Sequence, residues 1–460
     1  MQDMATIELG TGSTATGGRT GWKQVELTSW GRIAHAPCLA ARPERMRELR
    51  AALAVPEGRR LLAHGAGRSY GDVCLNGGEA VVLTGRLDRM LAFDPAAATV
   101  TVEPGVTFDD LLDTFLPRGL LPPVSPGTAF VTIGGAVAND VHGKNQHHLG
   151  CFGDHILWLE LLLPDGTTRR VSDTEDPDLF RATIGGIGLT GIITAICLRL
   201  MPVPSNALIV RRRRMPDLEA FLAGFEAASG SSWSVGWIDA LAQGAALGRG
   251  ILETAEPSPD SIAPPPKRAR SSPSDAPGWL LNRASVRAFN AAYWRRVPAG
   301  GEERILPYRK FLYPLDAIHG WNRIYGCAGF RQFQCVVPQA GGAAALRRLL
   351  EAVAANGDAS FLAVLKSMGR AGRGLLSFAM PGYTLALDIP ARPGSEALFA
   401  GLERITLEAG GRIYLAKDSM LSAAGFAAMY PDAGRFQAIR ARVDPQCRLS
   451  SDMSRRLGLG

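Results

Sequence analysis

Residues 126–145 read PGTAFVTIGGAVANDVHGKN, a Pro-Gly turn, a Gly-Gly pair and a run of small residues leading into Val-His-Gly-Lys. Gly134, Gly135, Ala136 and Ala138 carry little or no side chain, so backbone here can approach a bulky group that larger residues would hold off. That places His142 and Lys144, each able to donate or carry a proton, at the end of a segment shaped around something large. A tight packing loop with a surface His and Lys is the competing reading, and the surrounding chain decides between them.

The chain of 460 residues is long enough for two or three domains with cores of their own. Its 46% hydrophobic and 20% charged residues are those of an ordinary soluble protein. No uninterrupted apolar stretch of about 18 residues argues for a membrane span. The first residues, MQDMATIELGTGSTATGG, show no basic region followed by an apolar run, which makes the cytoplasm the expected location. Residues 1–18 are expected to be frayed. Cys38, Cys74, Cys151, Cys197, Cys327, Cys335 and Cys447 are scattered, without a CxxC pair, and exclude both structural zinc and a disulfide framework. A net charge of +7 suits an anionic partner, but its basic residues are dispersed instead of gathered with aromatics, so nucleic acid is not expected.

Outward from the opening stretch, short strands are expected at 61–63, 80–83, 100–102 and 156–163, with helices over 41–53 and 108–116. The strand before His64 runs into GAGRSYG at 65–71, which lacks the lysine of a P-loop and the GxGxxG spacing. A third glycine-dense turn, 185–191, feeds an apolar strand ending near Leu200, and Pro202 and Pro204 mark a boundary. Further strands are expected at 233–239, 248–252, 330–337, 361–365, 375–378 and 384–389, and helices at 218–228 and 343–354. Residues 256–277, EPSPDSIAPPPKRARSSPSDAP, hold almost no large apolar residue and cannot repay their ordering entropy, so a mobile loop is expected over 254–278. The mixture is α+β, a sheet covered by helices.

The turns at 65–71, 126–135 and 185–191 fall within one expected domain and together suit a long ligand held by backbone N–H groups. His142 is then a proton acceptor and Lys144 a group that steadies negative charge. A metal site from His142, His147 and His148 lacks an acidic ligand at a persuasive spacing. In the second domain Tyr313, Trp321, Asn322, Arg323, Gln332, Gln334 and Lys366, with Lys417, form a set able to grip sugar hydroxyls and a phosphate.

The segments GAGRSYGD, SPGTAFVTIGGAVANDVHGKNQHHLGCFGDHI, LFRATIGGIGLTGII, FLYPLDAIHGWNRIYGCAGFRQFQCVVP, VLKSMG, IYLAKDS and VDPQCRLSSDMSRRL together resemble the decaprenylphosphoryl-β-D-ribose 2'-oxidase branch of the vanillyl-alcohol oxidase type of FAD-linked oxidoreductases. The resemblance implies a PCMH-type FAD-binding domain from 1–200 completed by 408–460, with an inserted α+β substrate domain, 201–407, built on an antiparallel sheet. It implies oxidation of the 2'-hydroxyl of a polyprenyl-phosphoryl ribose by hydride transfer to flavin N5, the first half of an epimerisation to the arabinose form. An NAD(P)-dependent short-chain reductase would act on the ketone.

Carried onto this sequence, the cofactor-binding positions are Gly65, Ala66, Gly67, Arg68, Ser69 and Tyr70, then Pro126, Gly127, Thr128, Thr132, Gly134, Gly135, Ala138, Asn139, His142 and Gly143, then Gly188, Thr190, Ile192 and Lys417. Lys417 is the first choice for the base that takes the hydroxyl proton, His142 the second, with Lys144 and Tyr70 completing the catalytic set. Tyr313, on a flexible substrate-side loop, Trp321, Gln332, Gln334, Lys366, Thr384 and Ala386 are the expected substrate contacts. Arg68 stands where the family often has the histidine that bonds flavin covalently, which implies non-covalent FAD. Ala386 and Thr384 stand at the family's cysteine and asparagine positions, so trapping by cysteine-directed nitroaromatics is not expected here. A general FAD-linked sugar or alditol oxidase is the alternative enzyme, and a basic nucleic-acid or membrane-binding scaffold the alternative without catalysis. Peripheral contact with the inner face of a membrane accompanies the lipid-borne substrate.

Overall fold

The computed structural model describes residues 21–263, 270–272, 274–358 and 360–459. Residues 1–20, which include the stretch expected to fray, and 264–269, which include most of the KRAR cluster, lie outside them.

Three sheets carry the molecule. Ala80–Leu83 is AVVL, buried at every position, which is the pattern of a strand covered on both faces. It lies between His35–Ala41 and Leu61–His64, parallel to both, with Lys23–Thr28 antiparallel at the edge. A five-stranded antiparallel sheet follows in the order Met90–Asp94, Thr99–Val102, Ile192–Arg199, Ile156–Leu162, Thr168–Ser172. The third sheet has eight antiparallel strands: Glu302–Pro307, Ala207–Met215, Gly250–Pro257, Trp233–Ile238, Ala363–Met368, Gly382–Pro390, Phe330–Pro338 and Arg412–Ile413.

Helices Leu218–Ala227, Gly342–Asn356 and Ser395–Glu408 cover one face of the eight-stranded sheet. The second of these buries Ala345, Leu346, Leu349, Leu350 and Val353, a single apolar stripe. Strand alternation then sorts the residues. Phe333, Leu365, Leu385 and Leu387 go to the helices, with Phe333 meeting Phe399 at 6.2 Å between ring centroids, while Gln332, Gln334, Lys366 and Asp388 go to the other face.

The chain's end returns to its beginning. Leu61 donates to Arg448 O at 2.7 Å, Ser450 donates to Leu61 O at 3.0 Å, Tyr70 donates to Ala416 O at 3.2 Å, and Asp452 donates to Leu75 O at 2.8 Å. Arg456 clamps Asp72 and Asp418, 2.8 and 2.9 Å away, from helix Asp452–Arg456. No helix among the described residues is long and apolar enough to cross a membrane.

Several expectations need correction. Residues 254–257, expected to open the mobile loop, complete strand Gly250–Pro257, because all four pair with Ala207–Met215 and the first two also pair with Trp233–Ile238. Further along, Arg270–Ser271 pairs in parallel with Ile318–His319, and Asp275 forms an ion pair with Arg32 at 2.5 Å, so polar contacts order residues that have no apolar surface to bury. Residues 375–378 form no strand. They make a buried turn in which Ser377 Oγ donates to Asp140 at 2.5 Å. The first helix starts only at Met46, past Pro43. Helix Arg283–Arg295 and strand Glu302–Pro307 have no counterpart in the sequence reading.

Candidate active site

The loop 65–71, the stretch 126–144 and the turn at 187–188 converge on one cavity of ≈ 850 Å³, which the sheet face bearing Gln332, Gln334, Lys366 and Asp388 closes from the other side. That is the size of a site for a whole organic ligand. Its floor is a cradle only small residues permit. A Cβ on Gly65 would come within 2.4 Å of Thr132 Oγ1 and one on Gly135 within 3.0 Å, while Thr132 Oγ1 accepts the Gly135 N–H and caps helix Ile133–Ala138. Gly67, at φ +62°, turns the loop through the left-handed region. A Cβ on Gly71 would lie 1.7 Å from Asp418 O, so the loop and the C-terminal segment touch backbone to backbone.

Ala66, Ser69, Tyr70, Pro126, Gly127, Thr128, Ala138, Asn139, His142, Gly143, Lys144, Gly188 and Lys417 all line this cavity, as do Trp321, Gln332, Gln334, Lys366 and Ala386. Arg68 lines it too, with its guanidinium 4.8 Å from the Trp30 ring centroid and 6.0 Å from that of Phe130, and Nη1 donating to Ala66 O.

Five expected residues stand off the wall, each for a visible reason. A Cβ on Gly134 would meet Pro104, so that glycine serves helix packing. Thr190 is buried and hydrogen-bonds Thr183 at 3.0 Å, and Ile192 is buried in its sheet. Thr384, buried on the same sheet face, hydrogen-bonds the Gln334 amide at 3.1 Å and is covered by its neighbours. Tyr313, expected on a flexible loop, is 3% exposed and its hydroxyl bonds Ser125 Oγ, so it braces the wall from outside.

The polar cluster is built on neighbouring elements. His142, with its ring beside the stacked pair Phe378 and Tyr414 at 5.6 and 5.4 Å, is held well below the usual imidazole range by burial and then by the charges of Lys366 and Lys417. It is therefore a neutral ring, with one N–H and one lone pair. Its Nδ1 lies 3.1 Å from Lys366 Nζ and its Nε2 lies 3.0 Å from the Gln334 amide. With Lys366 donating to Nδ1, the Nε2 proton needs an acceptor, which Gln334 supplies when its amide oxygen faces the ring. The Thr384 hydroxyl then donates to the same oxygen.

Burial is also the main force on the lysines. Lys366 is pushed down to about 7, with Lys144 and Lys417 adding to the effect. Lys144 falls to about 8 while its ammonium donates to Phe311 O and lies 4.3 Å from the Phe311 ring. Lys417 falls to about 8, opposed by the nearby carboxylate of Asp388, and its Nζ lies 3.7 Å over the Tyr70 ring. Asp388 is pushed up to about 6 by burial. It accepts from Gln332 and, at 3.1 Å, from Tyr325 OH. Sequence reasoning missed Asp388, although alternation along 384, 386 and 388 puts it on the face of two residues it did select. It also missed Asp316, on the cavity wall, where it accepts the Ala129 N–H at 2.7 Å. His147 turns away, to Ser231 O at 2.8 Å.

The residues present fit an FAD. The glycine cradle admits a ligand against bare backbone, and Asn139 Oδ1 is buried on the wall with no hydrogen-bond partner among the described residues.

Residues 37–172 match the family model described as FAD binding domain, and residues 381–457 match the one described as D-arabinono-1,4-lactone oxidase. The chain is 36% identical over 451 residues to decaprenylphosphoryl-β-D-ribose oxidase of Mycolicibacterium smegmatis, covering 94% of this chain and 97% of the relative. It is 36% identical over 370 residues to an uncharacterized protein of Streptomyces coelicolor, covering 77% of this chain and all of that protein. A more distant likeness, 26% over 185 residues, joins it to L-gulonolactone oxidase of Mus musculus, covering 40% of this chain and 42% of the relative. Glycine cradle, enclosed lysines and a likeness running the length of both chains converge: the chain is an FAD-dependent oxidoreductase and belongs to the decaprenylphosphoryl-β-D-ribose oxidase family.

Proposed function

We propose that the protein oxidises the 2'-hydroxyl of a polyprenyl-phosphoryl-β-D-ribose to the ketone. The observation that supports this best is Lys417, a lysine lowered to about 8 by burial, facing the cavity beside Asp388. FAD, when bound, supplies the two-electron acceptor for the C2' hydride. Proton handling falls to the protein. A neutral Lys417 amine takes the 2'-hydroxyl proton, and Asp388 keeps the resulting ammonium favourable. His142 is the weaker candidate for the base, because Gln334 and Lys366 already occupy both its ring nitrogens. Lys366 and Lys144 place positive charge where a substrate phosphate would sit. Arg68 at the covalent-attachment position supports a flavin held by contacts alone.

Two experiments test the reading. Lys417→Ala should lower the rate of anaerobic flavin bleaching by a prenyl-phosphoryl ribose at least about a hundredfold, within the range of general-base contributions, while the purified protein stays yellow. Bleaching at the native rate refutes the role of Lys417. Acid precipitation should release all the flavin, and colour retained on the polypeptide refutes non-covalent binding.

The match of residues 381–457 to a sugar-lactone oxidase model favours a second reading, oxidation of a free sugar or alditol with oxygen as acceptor. Hydrogen peroxide formed from simple polyols would select it. On the first reading, the ketone requires a separate NAD(P)-dependent short-chain reductase, and a lipid-borne substrate brings the protein to a membrane surface. Trp279 at 72% and Leu280 at 38% exposure support that peripheral contact.

A further inference from the structure

The cavity changes character along one strand. In Ala363–Met368 the residues Lys366 and Val364 face the same side, two positions apart. Lys366 adjoins His142, whereas Val364 is the register partner of Trp237. Beyond that point the wall is aromatic. Trp237 and Tyr293 meet edge to face at 4.7 Å, Phe289 stacks on Tyr293 at 5.8 Å with 12° between the planes, and Phe289 reaches Phe361 at 5.0 Å. The Trp237 indole N–H donates to Phe361 O at 2.8 Å, so its polar atom is already satisfied and what the ring adds to the wall is apolar surface. Phe289 and Tyr293 sit four residues apart on helix Arg283–Arg295, and Phe289, 45% exposed, brings the wall out to solvent.

A free sugar needs hydrogen-bonding partners around its ring, and this wall offers only the Tyr293 hydroxyl and, beside it, Glu253, which is already paired with Arg212 at 2.7 Å. An amphiphile matches it better: a polar head among the lysines, then an apolar chain leading out. We propose that the wall formed by Trp237, Tyr293, Phe289 and Phe361 is the track for the first isoprene units of the substrate, which leave the cavity past Phe289. The inference rests on the prenyl-phosphoryl reading above and adds to it the site that selects for a lipid tail.

FAD-loaded full-length protein should be tested anaerobically with the methyl and farnesyl esters of β-D-ribosyl phosphate, following flavin bleaching. Each methylene removed from water raises affinity about fourfold, so the farnesyl ester should be favoured in kcat/KM by at least about a hundredfold, carried mostly by KM. Phe289→Ser should cut that preference at least about tenfold and Phe289→Leu should largely restore it. Ile305→Ser, on an equally exposed residue outside the cavity, should leave the preference intact. Calorimetry with farnesyl phosphate, which carries no sugar, should show binding with a negative heat-capacity change that Phe289→Ser weakens. Equal use of the two esters, or a preference that survives Phe289→Ser, overturns the track while leaving the sugar chemistry standing. If neither ester bleaches the flavin but farnesyl phosphate binds through Phe289, the sugar reading falls and the track stands.

Discussion

Asp388 shows how one buried carboxylate can set the working range of a neighbour. It raises the affinity of Lys417 for a proton, against the burial that lowers it to about 8. Asp388→Asn removes the opposing charge, so Lys417 should lose its proton at lower pH. The alkaline-going rise in flavin reduction should then move to lower pH, as stopped-flow rates across pH would show, and an unmoved limb would separate the two residues. Asp140 presents the same physics as a stability term. Burial pushes it up to about 6 from 3.8, even though Gly153 N–H donates to it at 2.9 Å. A carboxyl raised in the folded state favours folding below its unfolded value, and that advantage is lost as pH climbs from about 4 through about 6. The difference amounts to about 3 kcal/mol at neutral pH. Asp140→Asn keeps an acceptor for Gly153 and a partner for Ser377, and should flatten this pH dependence in denaturant titrations at pH values on either side of 6.

At the scale of elements, the glycine cradle is a set of backbone contacts that cannot yield. Gly71 faces Asp418 O at a distance no Cβ tolerates, and both sides of that contact are main chain. Gly71→Ala should therefore pry the 65–71 loop from the C-terminal segment and yield protein depleted of flavin, read as lost visible absorbance per chain. Thr132→Val is milder, removing the cap of helix Ile133–Ala138 at a cost of about 1 kcal/mol. The glycine turns were readable in the sequence because each needs a missing side chain. Their partners were not, because Thr132, Pro104 and Asp418 meet them across the fold. Helix Arg283–Arg295 escaped notice for a related reason: its aromatic residues Phe289 and Tyr293 face the cavity instead of a core.

For the whole molecule, closure depends on the chain's two ends meeting. Arg456 bridges Asp72, just past the 65–71 loop, and Asp418 of the segment carrying Lys417, with Asp418 nearly buried. Arg456→Ala leaves that carboxylate without its ionic partner, and should cost about 3 kcal/mol in thermal or chemical unfolding while weakening flavin retention. A substitution that leaves both unaffected would show that the neighbouring backbone pairing of Leu61 with Arg448 and Ser450 suffices.

The sequence alone determined the α+β class and the three small-residue turns, since these depend on local composition and spacing, while its resemblance to a known family pointed to that family and to the lysines and histidine proposed to handle protons. Only the tertiary structure decided that Tyr313 and Thr384 brace wall residues without lining the cavity, that Asp388 lies near Lys417, and that an aromatic wall runs from Trp237 to the exposed Phe289. These last depend on which strand faces which across the sheet, and that is a consequence of packing among residues far apart in the chain.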